Sequence, residues 1–152
     1  MNALQGKVAV VTGSSRGLGL AISQAFAQES AAVMIGARAP ESTELATAPI
    51  CAQGGLADGF PCNVAELDQV QALAQQTIKQ FGQLDIWVNN AGIGAMMGPT
   101  IHIPPRYLKL VIDTNITDTY NSKWTAMQHF LRLDAGRLIN VSGRGERDPH
   151  QC

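Results

Sequence analysis

The hydrophobic positions of this chain switch repeatedly between two periods. Val8, Ala9, Val10 and Val11 form a run with no polar alternation, the pattern of a strand buried on both faces of a parallel sheet. From Leu18 the apolar residues Leu18, Ile22, Ala25 and Phe26 recur at i, i+4, i+7 and i+8, which predicts a helix with one buried face. Ala31 to Gly36 is a second short apolar run. Strand, helix and strand thus fit within about 30 residues, the size of a right-handed βαβ crossover. Residues 41–53 are helix-compatible but weak, with Pro49 interrupting and Gly54-Gly55 ending them. Leu56 to Val64 reads as a third strand, in which Gly59 and Pro61 suit an edge position.

The second half continues the alternation. Val70, Leu73, Ala74, Ile78 and Phe81 keep helical spacing over Glu66 to Phe81, and Gly82 is a stop signal. Leu84 to Val88 is a fourth strand that runs into Asn89-Asn90-Ala91-Gly92. Leu108, Val111, Ile112, Ile116, Trp124, Met127, Phe130 and Leu131 predict one long helix from Tyr107 to about Leu133, and Gly136 to Val141 a fifth strand. Strands alternating with helices define an α/β doubly wound parallel sheet, and 152 residues suit a single domain, 1–152, with 143–152 as a polar, patternless tail.

Between the first strand and first helix lie Gly13, Gly17 and Gly19. Such a turn lets the chain bend sharply, brings backbone N–H groups close to a phosphate and aims the positive end of the helix at it. The spacing alone also fits an ordinary Gly-rich turn; its place between a strand and a helix points to dinucleotide binding. The second strand delivers Ala37 and Arg38, and the glycine loop contains Arg16. A carboxylate at the end of the second strand would bind ribose hydroxyls, whereas arginines meet a 2′-phosphate. NADP is therefore expected over NAD. Asn63, at the end of the third strand, is placed to donate to an adenine ring.

A net charge of −1 without a basic cluster gives no electrostatic footprint for nucleic acid. No apolar run approaches the roughly 18 residues of a spanning helix, and the first residues lack a signal-peptide core, so neither a membrane partner nor export is expected and the location is read as cytoplasmic. Cys51, Cys62 and Cys152 show no metal-ligand spacing and read as reduced thiols, while His102 reads as a surface or packing residue and His129 as solvated surface.

Thr12-Gly13-x-x-x-Gly17-x-Gly19 together with Asn89-Asn90-Ala91-Gly92 resembles the short-chain dehydrogenase/reductase family, and the resemblance covers essentially the whole chain. It implies strand order 3-2-1-4-5 and places Gly13, Ser15, Arg16, Gly17, Leu18, Gly19, Arg38, Asn63, Val64, Asn90, Ala91 and Gly92 at the cofactor. It gives Asn115 the position of a catalytic Asn on a locally distorted helix. It makes the 107–133 helix a homo-oligomer interface, and it implies hydride transfer with a small carbonyl or alcohol substrate.

Two features depart from the family pattern. Counted from Asn115, the usual spacing puts the catalytic Ser at position 143, which is glycine. Ser142, one residue early, either substitutes by a local shift or only caps the turn. Nor is there a Tyr-x-x-x-Lys: four residues after Tyr107 and Tyr120 stand Val111 and Trp124. The family's Tyr would fall just past residue 152, so the chain is expected to carry the cofactor-binding part of a C-terminally truncated oxidoreductase. The alternative is a catalytically inactive dinucleotide-binding or oligomer-partner module.

Overall fold

A computed structural model describes residues 2–94, 96 and 98–143. The tail expected over 143–152, with Cys152, lies beyond Gly143 outside the described residues. Five strands, β1 (Val8–Thr12), β2 (Ala32–Ala37), β3 (Leu56–Pro61), β4 (Ile86–Asn89) and β5 (Arg137–Asn140), alternate with α1 (Gly17–Gln28), α2 (Pro40–Ala52), α3 (Leu67–Phe81), α4 (Pro105–Ile112) and α5 (Asp118–Leu133). They form one parallel sheet in the order β3-β2-β1-β4-β5, the expected doubly wound architecture.

Both faces of the sheet are covered at its centre, where every residue of β1 and β2 is buried and all but Thr12 are apolar or glycine. Successive side chains point to opposite faces. Val10, Met34 and Trp87, facing each other across β2-β1-β4, pack with Leu73 of α3 and with Ala126 and Phe130 of α5. The intervening residues Val11, Ile35 and Val88 pack with Ile50 of α2 and, less deeply, with Leu20, Ile22 and Phe26 of α1. After β3 the chain returns to the other side of β1 to lay down β4. The sheet reverses its order there, and a crevice opens beyond the carboxyl ends of β1 and β4.

The structure corrects several boundaries. Pro49 does not interrupt its helix: α2 runs unbroken from Pro40 to Ala52. The ring removes one N–H, whose acceptor would have been the carbonyl of Leu45, a residue on the solvent side and 77 % exposed. The buried face of α1 is also rotated from the expected one. Gly19 and Ser23 are its buried residues, and Leu18 and Ala25 face outward, because close packing of Gly19 on the strand loops fixes the helix's phase. β3 stops at Pro61, three residues short of Val64, although the Cys62 N–H still donates to the Ala37 carbonyl at 2.7 Å. The long helix starts at Pro105 and runs to Leu133 as α4 and α5 joined by a π-helical turn at Asp113–Thr117, a distortion where one was expected, at Asn115. His129 is half-buried, its ring edge-on to Phe130.

Candidate functional site

The glycine turn and the 89–92 turn are one hydrogen-bonded unit. The Asn90 side-chain amide donates to the carbonyls of Thr12 (3.0 Å) and Gly13 (3.1 Å). In return the Thr12 hydroxyl accepts the backbone N–H groups of Asn90 (3.1 Å) and Ala91 (3.2 Å). Next to it, the buried Asn89 accepts from the Trp87 indole and donates to Asn140, each at 2.8 Å, tying the turn to β5. Gly13 sits at φ +63°, and a Cβ there would lie 2.6 Å from the Ala91 Cα. A Cβ on Gly19 would fall on the Asn90 amide and within 2.6 Å of the Gly13 carbonyl. Both glycines are thus required by the approach of the second turn.

This construction leaves the start of α1 open. Its N-cap, Arg16, makes no side-chain cap. Among the described residues the backbone N–H groups of Gly17, Leu18 and Gly19 have no protein acceptor. Three donors and the helix dipole therefore point into the crevice, which suits an anionic group.

A cleft of about 480 Å³ lies there, and every sequence-selected cofactor residue lines it, from Gly13 through Arg38, Asn63 and Val64 to Gly92. Arg16 and Arg38 are exposed at its rim and form no ion pair among the described residues. Of the carboxylates that also line it, Glu66 is exposed and Asp113 is held by Lys109. The sequence reading missed several lining residues. Leu110, Asp113 and Thr114 follow an i, i+3, i+4 spacing that marks one helix face, but only the fold says that this face meets the cleft. Thr12, which knits the two motifs, was visible only as the residue before Gly13.

The two residues expected to be catalytic are not among those that line the cleft, although Asn115 contacts its edge at Gly92 and Ile93. The Asn115 side chain accepts the Ile93 N–H and donates to the Ile93 carbonyl, both at 2.9 Å. Its amide therefore fixes the segment after Gly92, within the π-helical turn. The Asn115 carbonyl accepts the Thr119 hydroxyl at 2.9 Å. Neither Asn115 nor Ser142 lines the cleft. Ser142 is exposed beyond the end of β5, with no side-chain hydrogen bond among the described residues, one position after Val141, whose N–H donates to the Asn89 carbonyl.

Behind the cleft is a group with no sequence signal. Asp118, in the first turn of α5, is fully buried. One carboxylate oxygen accepts the Ser122 hydroxyl at 3.0 Å, and the other has no partner among the described residues. Burial pushes its pKa up to about 6, against the lowering effect of Ser122. Burial, and secondarily the Asp118 charge, pushes the Cys62 thiol up to about 12. Cys62 lines the cleft as a protonated, unreactive group.

A parallel sheet in this order, with a glycine turn knitted to an Asn-Asn-Ala-Gly turn over a nucleotide-sized crevice, defines a dinucleotide-binding fold. The short chain dehydrogenase family pattern matches residues 7–151, and the chain belongs to that family. It is 36 % identical over 137 residues to a 3-oxoacyl-[acyl-carrier-protein] reductase of Staphylococcus aureus, covering 90 % of this chain and 55 % of the relative. It is 32 % identical over 148 residues to glucose 1-dehydrogenase 2 of Bacillus subtilis, covering 96 % and 57 % respectively. The crystal structure of a metagenomic short-chain oxidoreductase in complex with NADP superposes with a TM-score of 0.87 at 32 % identity, over 97 % of this chain and 66 % of that one. The chain spans about half the length of the curated relatives it matches. Among the described residues no helix is long and apolar enough to cross a membrane, and no group of three or more His, Cys, Asp or Glu is placed to hold a metal ion.

Proposed function

We propose that this chain is the NADP-binding part of an oxidoreductase that transfers hydride between a nicotinamide and a small carbonyl or alcohol substrate. The observation that carries the choice of cofactor is the pair of guanidinium groups, Arg16 and Arg38, without an ion-pair partner among the described residues, at the rim of the cleft where β2 ends without a carboxylate. A 2′-phosphate would be bound there by charge-assisted hydrogen bonds. The metagenomic relative crystallised with NADP supports the same choice.

The residues present fit a dinucleotide. The free N–H groups of Gly17 to Gly19 would hold the pyrophosphate, Asn63 and Val64 would face the adenine, and Asn90 to Gly92 would support the adjoining ribose. When bound, the cofactor supplies the hydride chemistry. Asn115 would hold the 92–94 segment in register, and Ser142 would stand at the substrate side as a hydrogen-bond donor. The exposed row Leu108, Ile112, Ile116, Tyr120 and Trp124, at four-residue steps, supports pairing of two copies through the 107–133 helix. The free thiols of Cys51 and Cys62 fit a cytoplasmic setting.

Titration of the purified chain with NADPH and NADH, followed by intrinsic Trp fluorescence, tests the reading. Tighter binding of NADPH is expected. Arg38→Ala should weaken NADPH about tenfold or more, the scale of a lost charge-assisted hydrogen bond, and leave NADH nearly unchanged. Equal affinity for both in the unsubstituted chain would refute the NADP assignment. A parallel assay of NADPH oxidation with carbonyl compounds separates a working reductase from a binding module, which would bind without turnover.

A further inference from the structure

The wall of the cleft beyond Gly92 has no regular structure of its own. Ile93 lines the cleft, and Ile93 and Gly94 lie in neither helix nor strand. Gly94 is exposed, and a Cβ on it would meet nothing beyond its chain neighbours within 4 Å. Packing on that side does not hold it, and hydrogen bonds from two side chains take over. The Asn115 amide pairs with both backbone groups of Ile93. The Tyr107 hydroxyl, 13 residues along the chain, donates to the Gly94 carbonyl at 2.6 Å. Among the described residues no other hydrogen bond reaches this pair.

Tyr107 owes its place to the start of α4. Pro104 and Pro105 preset the backbone φ at the helix entry, and the Tyr107 N–H donates to the Pro104 carbonyl at 2.8 Å. Tyr107, Leu110 and Thr114 are spaced i, i+3 and i+7 and so share one helix face. Leu110 and Thr114 line the cleft, and Tyr107 extends that stripe by one turn. Its side chain is half-buried and its hydrogen bond is exposed. A phenylalanine would supply the same ring, so what the hydroxyl adds is the bond to Gly94. The strand order decides which end of a ligand this segment meets. Arg38 and Asn63 follow β2 and β3, on one side of the N–H groups at the start of α1, and Ile93 follows β4 on the other side. A dinucleotide with its 2′-phosphate at Arg38 and its pyrophosphate at α1 therefore directs its nicotinamide half past Ile93.

We propose that Tyr107 is a positioning residue for the nicotinamide half of the dinucleotide: its hydroxyl, with the Asn115 amide, holds Ile93 and Gly94 in the shape of the cleft wall. The role rests on the dinucleotide assignment above. Two measurements on Tyr107→Phe test it. In the chain without ligand, exchange of the Ile93 amide followed by NMR should quicken about fivefold relative to that of Val10 in β1, the scale of one lost hydrogen bond. In calorimetric titrations NADPH should bind about fivefold more weakly. Adenosine 2′,5′-bisphosphate, which lacks the nicotinamide half, should keep its affinity to within about twofold. A purely structural tyrosine would weaken both ligands alike or neither. An unchanged Ile93 exchange rate overturns the positioning role, as does an unchanged NADPH affinity or an equal loss for both ligands. Those failures leave the dinucleotide assignment standing, because the unsubstituted chain still binds. If the unsubstituted chain binds neither ligand, that assignment falls and the positioning role falls with it.

Discussion

The two halves of the sheet's carboxyl edge are built very differently. Where β1 meets β4, Thr12, Gly13, Asn89 and Asn90 are joined by hydrogen bonds within the protein, and the strands beneath them are buried on both faces. At β5 the pattern fails. Arg137, Ile139 and Asn140 are exposed, and α4, the π-helical turn and α5 carry uncovered Leu108, Ile112, Ile116 and Leu131. Hydrogen bonds specify a position only where both partners are fixed by packing. The first region is therefore rigid enough to present donors to a ligand, and the second still has apolar surface to cover.

The sharpest way to break this contrast is Gly13→Ala. The added Cβ meets the Ala91 backbone at 2.6 Å and the residue must keep φ at +63°, so left-handed strain and overpacking add to a loss of about 4 kcal/mol. Urea denaturation measures it, and a loss under about 1 kcal/mol would mean that the two turns separate easily. Thr12→Val comes next. It removes the acceptor of two backbone N–H groups, those of Asn90 and Ala91, and should cost about 3 kcal/mol while weakening dinucleotide binding.

Asp118 sharpens the comparison from the other side, since it is a buried group that the fold leaves half-satisfied. Its pKa rises from an ordinary 3.8 to about 6 on folding. The folded chain therefore holds the proton more tightly than the unfolded one. Stability falls as pH rises between those two values, by up to about 3 kcal/mol, and the cost is fully present above pH 6. Asp118→Asn should flatten that slope and be more stable than the unsubstituted chain at pH 7.5. Equal stability of the two proteins from pH 4 to pH 8 would show that the carboxylate is not desolvated. The smallest effect is expected for Ser142→Ala. An exposed side chain without a hydrogen bond should shift stability by no more than about 0.5 kcal/mol, so any larger change in turnover would report a substrate role.

Much of the fold was legible because parallel strands covered on both faces leave long apolar runs, as in Val8 to Val11 and Ala31 to Gly36. The cofactor residues were legible for a related reason: glycines forced by close backbone approach leave a fixed spacing. Pro49 misled because a single lost hydrogen bond at a solvent-facing position does not end a helix held by its buried face, Thr43, Ala46 and Ile50. Leu18 misled because its spacing fitted the apolar stripe, whereas the contact between Gly19 and Asn90 sets which way α1 is turned. Ser142 and Asn115 were chosen through the family resemblance. The structure gives Asn115 a side-chain task, holding Ile93, that no spacing announces.

By itself the sequence determined the architecture, the two turns and the positive rim of the cleft, because each depends on local chemistry: periodicity, glycine and charge. Only the tertiary structure decided that the Asn90 amide locks onto the carbonyls of Thr12 and Gly13, that Asp118 is sealed from water beside Cys62, and that the Tyr107 hydroxyl reaches the Gly94 carbonyl. Those facts depend on which residues distant in sequence meet, and burial and pKa are properties of that meeting rather than of the residues alone.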